Sequence, residues 1–68
     1  MQISARNQLR GRVTAISLGG VMAEVRIQVG SHEIVSVITR ASAEGLGLQT
    51  GDEVVAIIKS TEVMIGKP

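Results

Sequence analysis

Val21-Met22-Ala23-Glu24-Val25-Arg26-Ile27-Gln28-Val29 is the stretch that decides the fold. Its odd positions are all apolar, and its even positions, Met22 apart, are polar or charged. In an extended chain, successive side chains point to opposite faces. A strict period of two therefore predicts a strand with one buried and one solvated face.

Working upstream, residues 7–18 read as an earlier strand in which Leu9, Val13 and Ala15 share one parity. Gly19-Gly20 then marks a hairpin. A two-residue loop would set Val13 opposite Arg26 on the buried face. A three-residue loop, Gly19 to Val21, sets Val13 opposite Ile27, Ala15 opposite Val25, Thr14 beside Arg26 and Arg12 beside Gln28. Register follows the buried face, so the second arrangement is expected.

Working downstream, Gly30-Ser31-His32 reads as a turn and residues 34–39 as a third strand. Residues 40–46 read as a short helix, with Thr39 as N-cap and Gly47 as its stop. After the turn Gln49-Thr50-Gly51-Asp52, a fourth strand is expected over 53–59 and a shorter fifth over 62–65. Three strands, a short helix and two more strands is the order of an all-β, OB-fold-like five-stranded barrel, with the one helix between strands 3 and 4. An SH3-like barrel is the alternative of similar size. With no repeat or linker, residues 1–68 are expected to form a single domain.

So small a domain usually needs a staple. Cysteine is absent and the lone histidine, His32, cannot build a zinc site, so no metal held by protein ligands is expected. Association remains. Val54 to Ile58 is apolar at every position, and Ile34, Val35, Val37 and Ile38 are apolar on both faces. A lone barrel buries only its inner row, so the outer rows call for another copy of the chain. The net charge of +1 and the complete lack of aromatic residues argue against an OB-type nucleic-acid-binding module, which needs a basic footprint and stacking platforms. No apolar run is long enough for a membrane span, and residues 1–6 lack a signal peptide's core. A cytoplasmic location with no membrane partner is the default expectation.

Nothing reads as catalytic: there is no nucleophile–base pair and no phosphate loop. Glu24, Glu33, Glu44 and Glu53 read as solvated, Asp52 as shaping its turn, and His32 as a turn residue. Three clusters instead combine hydroxyls with cations or helix-start amides, each without a carboxylate. They are Ser4 with Arg6, which in an extended segment would face the same side; Thr39 with Ser42 at the helix start; and Lys59 with Ser60 where the fourth strand ends. A fully ionised tetrahedral oxyanion only accepts hydrogen bonds, so donors without competing acids suit it.

The opening Ile3-Ser4-Ala5-Arg6-Asn7-Gln8-Leu9-Arg10-Gly11-Arg12-Val13, together with the closing Ala56-Ile57-Ile58-Lys59-Ser60-Thr61-Glu62-Val63-Met64-Ile65, resembles the molbindins. These are small molybdenum-pterin-binding proteins of the Mop or TOBE type. The resemblance implies an OB-like barrel, assembly as a homo-hexamer (a trimer of dimers), and cytoplasmic storage or buffering of molybdate and tungstate bound between subunits. Carried over by position, it assigns the anion donors to Ser4, Arg6, Thr39, Ser42, Lys59 and Ser60, with Asn7 orienting Arg6 or lining a second kind of site. Without aromatics to stack a pterin, the bare anion is expected rather than an organic cofactor. Arg40 and a short loop after Val29 depart from the family pattern, and Arg40 is expected to face solvent. With no helix-turn-helix or nucleotide-binding segment, the chain reads as the domain alone.

Overall fold

The computed structural model describes residues 1–68. Four strands form one antiparallel sheet, β1 (Asn7–Leu18), β2 (Met22–Val29), β3 (His32–Thr39) and β4 (Glu53–Ile58), in the order β3-β2-β1-β4. One short helix, α1 (Arg40–Gly45), joins β3 to β4. The all-β class and the single helix after the third strand agree with the sequence reading.

β1 serves two partners in succession. Its first half pairs with β4, from Asn7↔Ile58 to Arg12↔Glu53. Its second half pairs with β2, starting at Arg12↔Gln28 and ending at Leu18↔Ala23. Where the partners change, the Val13 N–H donates to the Asp52 carbonyl at 2.9 Å and the Gly51 N–H to the Val13 carbonyl at 2.8 Å. The hand-over curls the sheet, and the inner face carries the core.

The hairpin register is half as expected. Arg12↔Gln28 and Val13↔Ile27 hold, but a bulge at Thr14 shifts the rest, so Ala15 faces Arg26 and Ile16 faces Val25. The extra residue turns Ala15 outward and Ile16 inward, in line with Ala15 being exposed and Ile16 half-buried. The Thr14 hydroxyl donates to the Arg26 carbonyl at 3.3 Å, the residue its ladder position lost.

The expected fifth strand does not form. Residues 60–62 make a 3-10 turn, Ser60–Glu62, and residues 63–65 pair with no strand. Val63, Met64 and Ile65 stand exposed, the last two at 92% and 90%. A strand needs a ladder partner, and residues 63–65 pair with neither edge strand of the sheet. Consequently β3 and β4 each keep one free edge. Between them lies an open trough of about 500 Å³, walled mostly by apolar side chains such as Ile34, Ile38, Val54 and Ile58.

The core is small. Val13, Val25, Ile27 and Ala56 form its centre, and Ala23 and Ala43 are the other buried residues. The β2 alternation is realised in Ala23, Val25 and Ile27, but Val21 sits in the turn and is exposed. On the outer face, Val35, Val37 and Ile57 are exposed at 51%, 61% and 41%, the apolar rows noted in the sequence. The chain presents 5375 Å² of accessible surface, whereas a folded monomer of this mass presents about 4,100 Å². No helix is long and apolar enough to cross a membrane.

Candidate functional site

The Thr39–Ser42 pair is the most completely built of the three donor clusters. Thr39 ends β3 with an extended backbone (φ −67°, ψ 147°), so its side chain can reach forward over the first helical turn. Its Oγ1 accepts the Ser42 N–H at 3.0 Å and donates to Ser42 Oγ at 2.7 Å. This N-cap spends the Ser42 amide on the fold. It leaves the Ser42 hydroxyl hydrogen free to donate outward, because that oxygen already accepts from Thr39.

The opening cluster is not extended, as its spacing suggested. The chain bends at Ser4 and at Arg6 before β1 begins, so alternation does not decide where the two side chains point. The Gln8 side chain ties this segment down, donating from Nε2 to the Ala5 carbonyl at 2.8 Å. Sequence reasoning missed Gln8, and a side chain reaching back to a carbonyl three residues earlier leaves no pattern in composition or period. Ser4 and Arg6 are exposed and Asn7 is half-buried as the first residue of β1.

Register joins two of the clusters. Asn7 pairs with Ile58 at the end of the β1–β4 ladder, so Arg6 and Lys59 are the next residues beyond it on the two segments. Lys59 caps the 3-10 turn that carries Ser60, and both are exposed. Neither Arg6 nor Lys59 makes an ion pair or a side-chain hydrogen bond. One carboxylate does come close in sequence: Glu62 shares the 3-10 turn with Ser60 and lines the trough with Lys59. The Lys59–Ser60 cluster is thus not free of acid, contrary to the sequence reading, because the chain coils here instead of continuing as a strand.

Within one subunit the Thr39–Ser42 pair does not meet the other two clusters. β3 runs antiparallel to β4 through the sheet order, so Thr39 and Lys59 end their strands toward opposite ends of the sheet. The trough itself is apolar and would charge a heavy desolvation penalty to an anion. A second, polar depression lies on the outer face among Arg10, Arg12, Thr14, Gln28 and Glu53. Arg12 and Gln28 already donate to the Gly51 and Gly30 carbonyls, at 2.7 and 2.8 Å, and Glu53 adds a negative charge, so it suits an anion poorly.

Electrostatics elsewhere is local. Glu33 and Glu24 both bind the Arg26 guanidinium on the outer face. The hydrogen bond to Glu33, followed by the charge of Glu24, raises the Arg26 pKa above its ordinary value. A raised guanidinium pKa adds stability that is lost only as pH climbs through that already high value, so this cluster adds no pH dependence near neutrality. Arg40 faces solvent only in part, its side chain being 43% exposed. It is half-buried and its side chain bonds to both Gly19 and Glu44, because the helix start packs against the β1–β2 turn. No group of three His, Asp or Glu side chains converges anywhere in the fold.

Comparison with known proteins bears on the same residues. Residues 3–65 match the TOBE domain model. Molybdenum-pterin-binding protein 3 of Clostridium pasteurianum is 50% identical over 66 residues, covering 96% of this chain and 97% of that one. Among solved structures, a molybdate-binding protein from Sporomusa ovata superposes with a TM-score of 0.94 at 40% identity, over 98% of this chain and 100% of that one. The cytoplasmic molybdate-binding protein ModG, solved with molybdate bound, gives 0.93 at 39% identity; this chain is fully covered and spans 49% of ModG. Both the sequence over nearly its whole length and the fold therefore say that the chain belongs to the TOBE-domain family, in its molybdenum-pterin-binding branch, the molbindins.

Proposed function

We propose that this protein binds molybdate as an intact oxyanion, for storage or homeostasis in the cytoplasm, and performs no catalysis. Residues 1–68 act as one binding unit, and tungstate, of the same shape and charge, binds as well. The donors are Ser4, Arg6, Asn7, Thr39, Ser42, Lys59 and Ser60, and no organic cofactor takes part.

The observation that carries this reading is the set of donors left without partners. Arg6 and Lys59 are unpaired at one corner of the sheet, and the Ser42 hydroxyl is free to donate beyond the far end of β3. An acceptor-only anion satisfies such groups. The names of the relatives support the choice of anion, since the solved neighbours are molybdate-binding proteins and one of them is described as cytoplasmic.

Donors at opposite ends of one subunit can share an anion when copies associate. The surface supports association: the subunit exposes roughly 1,300 Å² more than a folded monomer of its mass, and a standard interface covers about 800 Å² per partner. The proposed state is a homo-hexamer, a trimer of dimers, with anions held between subunits. Calorimetric titration of molybdate, paired with native mass spectrometry, tests both parts. Heat of binding and a hexamer carrying a fixed number of anions is the expected result; a protein that takes up no anion at millimolar molybdate would overturn the reading.

A further inference from the structure

Arg40 follows the Thr39 cap directly and makes three bonds, two of them to a turn about twenty residues earlier in the chain. Its N–H donates to the Val21 carbonyl at 2.7 Å, its Nη1 to the Gly19 carbonyl at 3.1 Å, and its Nε to Glu44 Oε1 at 2.6 Å. The Glu44 contact is an ordinary one-turn helix pair. The contacts to Gly19 and Val21 are not, because they clamp the start of α1 to the β1–β2 hairpin from both backbone and side chain.

That clamp stands where packing is thin. α1 has six residues and buries only Ala43. Leu46, which follows it, is 71% exposed. The turn being gripped contains Gly19 and Gly20, the most conformationally free residues available. Few apolar contacts hold this corner, so hydrogen bonds decide its order. The Thr39 cap and the Ser42 hydroxyl sit on it.

We infer that Arg40 is a positioning residue for the Thr39–Ser42 hydroxyl pair, and that Glu44, by neutralising the Arg40 guanidinium, limits the positive charge an anion meets there. This rests on the reading of Thr39 and Ser42 as anion donors. The two parts make opposite demands on two variants. Removing the guanidinium loosens the hydroxyl pair. Removing only the carboxylate keeps the bond to Gly19 and unmasks a charge.

The test uses the full chain, with molybdate as the probe, and two readouts: anion affinity by calorimetry at low and high salt, and exchange of the Ser42 amide hydrogen by NMR without anion. Arg40→Met is expected to speed Ser42 exchange and to weaken molybdate binding, each by about fivefold, the equivalent of one neutral hydrogen bond. Arg40→Lys keeps the charge but cannot span Gly19 and Glu44 together, so it is expected to restore neither readout fully. Glu44→Gln is expected to leave Ser42 exchange unchanged and to strengthen binding at low salt, with the gain fading as salt rises. A purely structural ion pair would have both Arg40→Met and Glu44→Gln weaken binding; that result, or unchanged Ser42 exchange in Arg40→Met, overturns the inference. If Arg40→Met does not fold, Arg40→Lys carries the exchange measurement. A wild-type protein that takes up no molybdate defeats the functional reading instead, while Ser42 exchange still decides whether Arg40 holds the corner.

Discussion

Asn7 lies opposite Ile58 in the last rung of the β1–β4 ladder, and this single pairing makes Arg6 and Lys59 the next residues beyond the ladder although they stand fifty-three positions apart in the chain. Both cations stand just outside the paired strands, and neither has a carboxylate bound to it. Two unpaired cationic donors at the end of one ladder suit an acceptor-only anion.

Arg6→Ala and Lys59→Ala are each expected to cost about 1.5–3 kcal/mol of molybdate binding, the range for a charge-assisted hydrogen bond. Because the two flank one position, the double variant is expected to lose less than the sum. Isothermal titration of the single and double variants measures the coupling, and strict additivity would separate the two residues into different sites.

Thr39 and Ser42 are separable by chemistry. Thr39→Val removes the oxygen that caps the Ser42 N–H and is expected to lower stability by about 1 kcal/mol as well as affinity. Ser42→Ala keeps the cap, so urea unfolding should change by less than about 0.5 kcal/mol while anion affinity falls. Equal stability losses in the two variants would show that the hydroxyl contact, not the cap, holds the corner.

Gly11 has no room for a side chain. A Cβ there would stand 2.6 Å from the Gln28 carbonyl oxygen, 2.6 Å from Ile27 Cγ2 and 2.9 Å from Val29 Cγ2. The carbonyl belongs to the backbone of β2 and cannot rotate away, so Gly11→Ala is expected to destabilise by roughly 1–3 kcal/mol. Chemical denaturation checks it, and a neutral result would mean that β1 and β2 part more easily than their close approach implies.

The exposed outer row makes a prediction about assembly. Val37→Asp places a charge on a face that association would bury. It is expected to raise the subunit dissociation constant at least about tenfold, or about 1.4 kcal/mol, with the far-ultraviolet dichroism of the sheet intact. Native mass spectra across a dilution series read this directly. An unchanged oligomer would place β3's outer face in solvent.

Much of this protein is legible in its residues because the signals are local. The odd-position row of β2, the Thr39 cap three residues before Ser42, and the turns at Gly30 and Gly51, whose φ values of 58° and 96° favour glycine, each depend on neighbours within a few positions. Side-chain alternation and capping geometry act at that range. The opening and closing motifs likewise identify the family from sequence alone. What the tertiary structure decided depends on contacts between distant segments. The bulge at Thr14 arises where β1 changes partners from β4 to β2, and it moves Ala15 out and Ile16 in. Residues 62–65 have the composition of a strand but pair with neither free edge of the sheet, and the backbone coils at Ser60–Glu62 and brings Glu62 toward Lys59. Arg40 reads as a solvent-facing charge until the β1–β2 turn folds back to meet it. Hydrogen-bond partners supplied by another part of the chain overrule local preference at Thr14 and Arg40, and the lack of one does so at residues 62–65, because a backbone or guanidinium donor is satisfied by whichever carbonyl the fold brings to it.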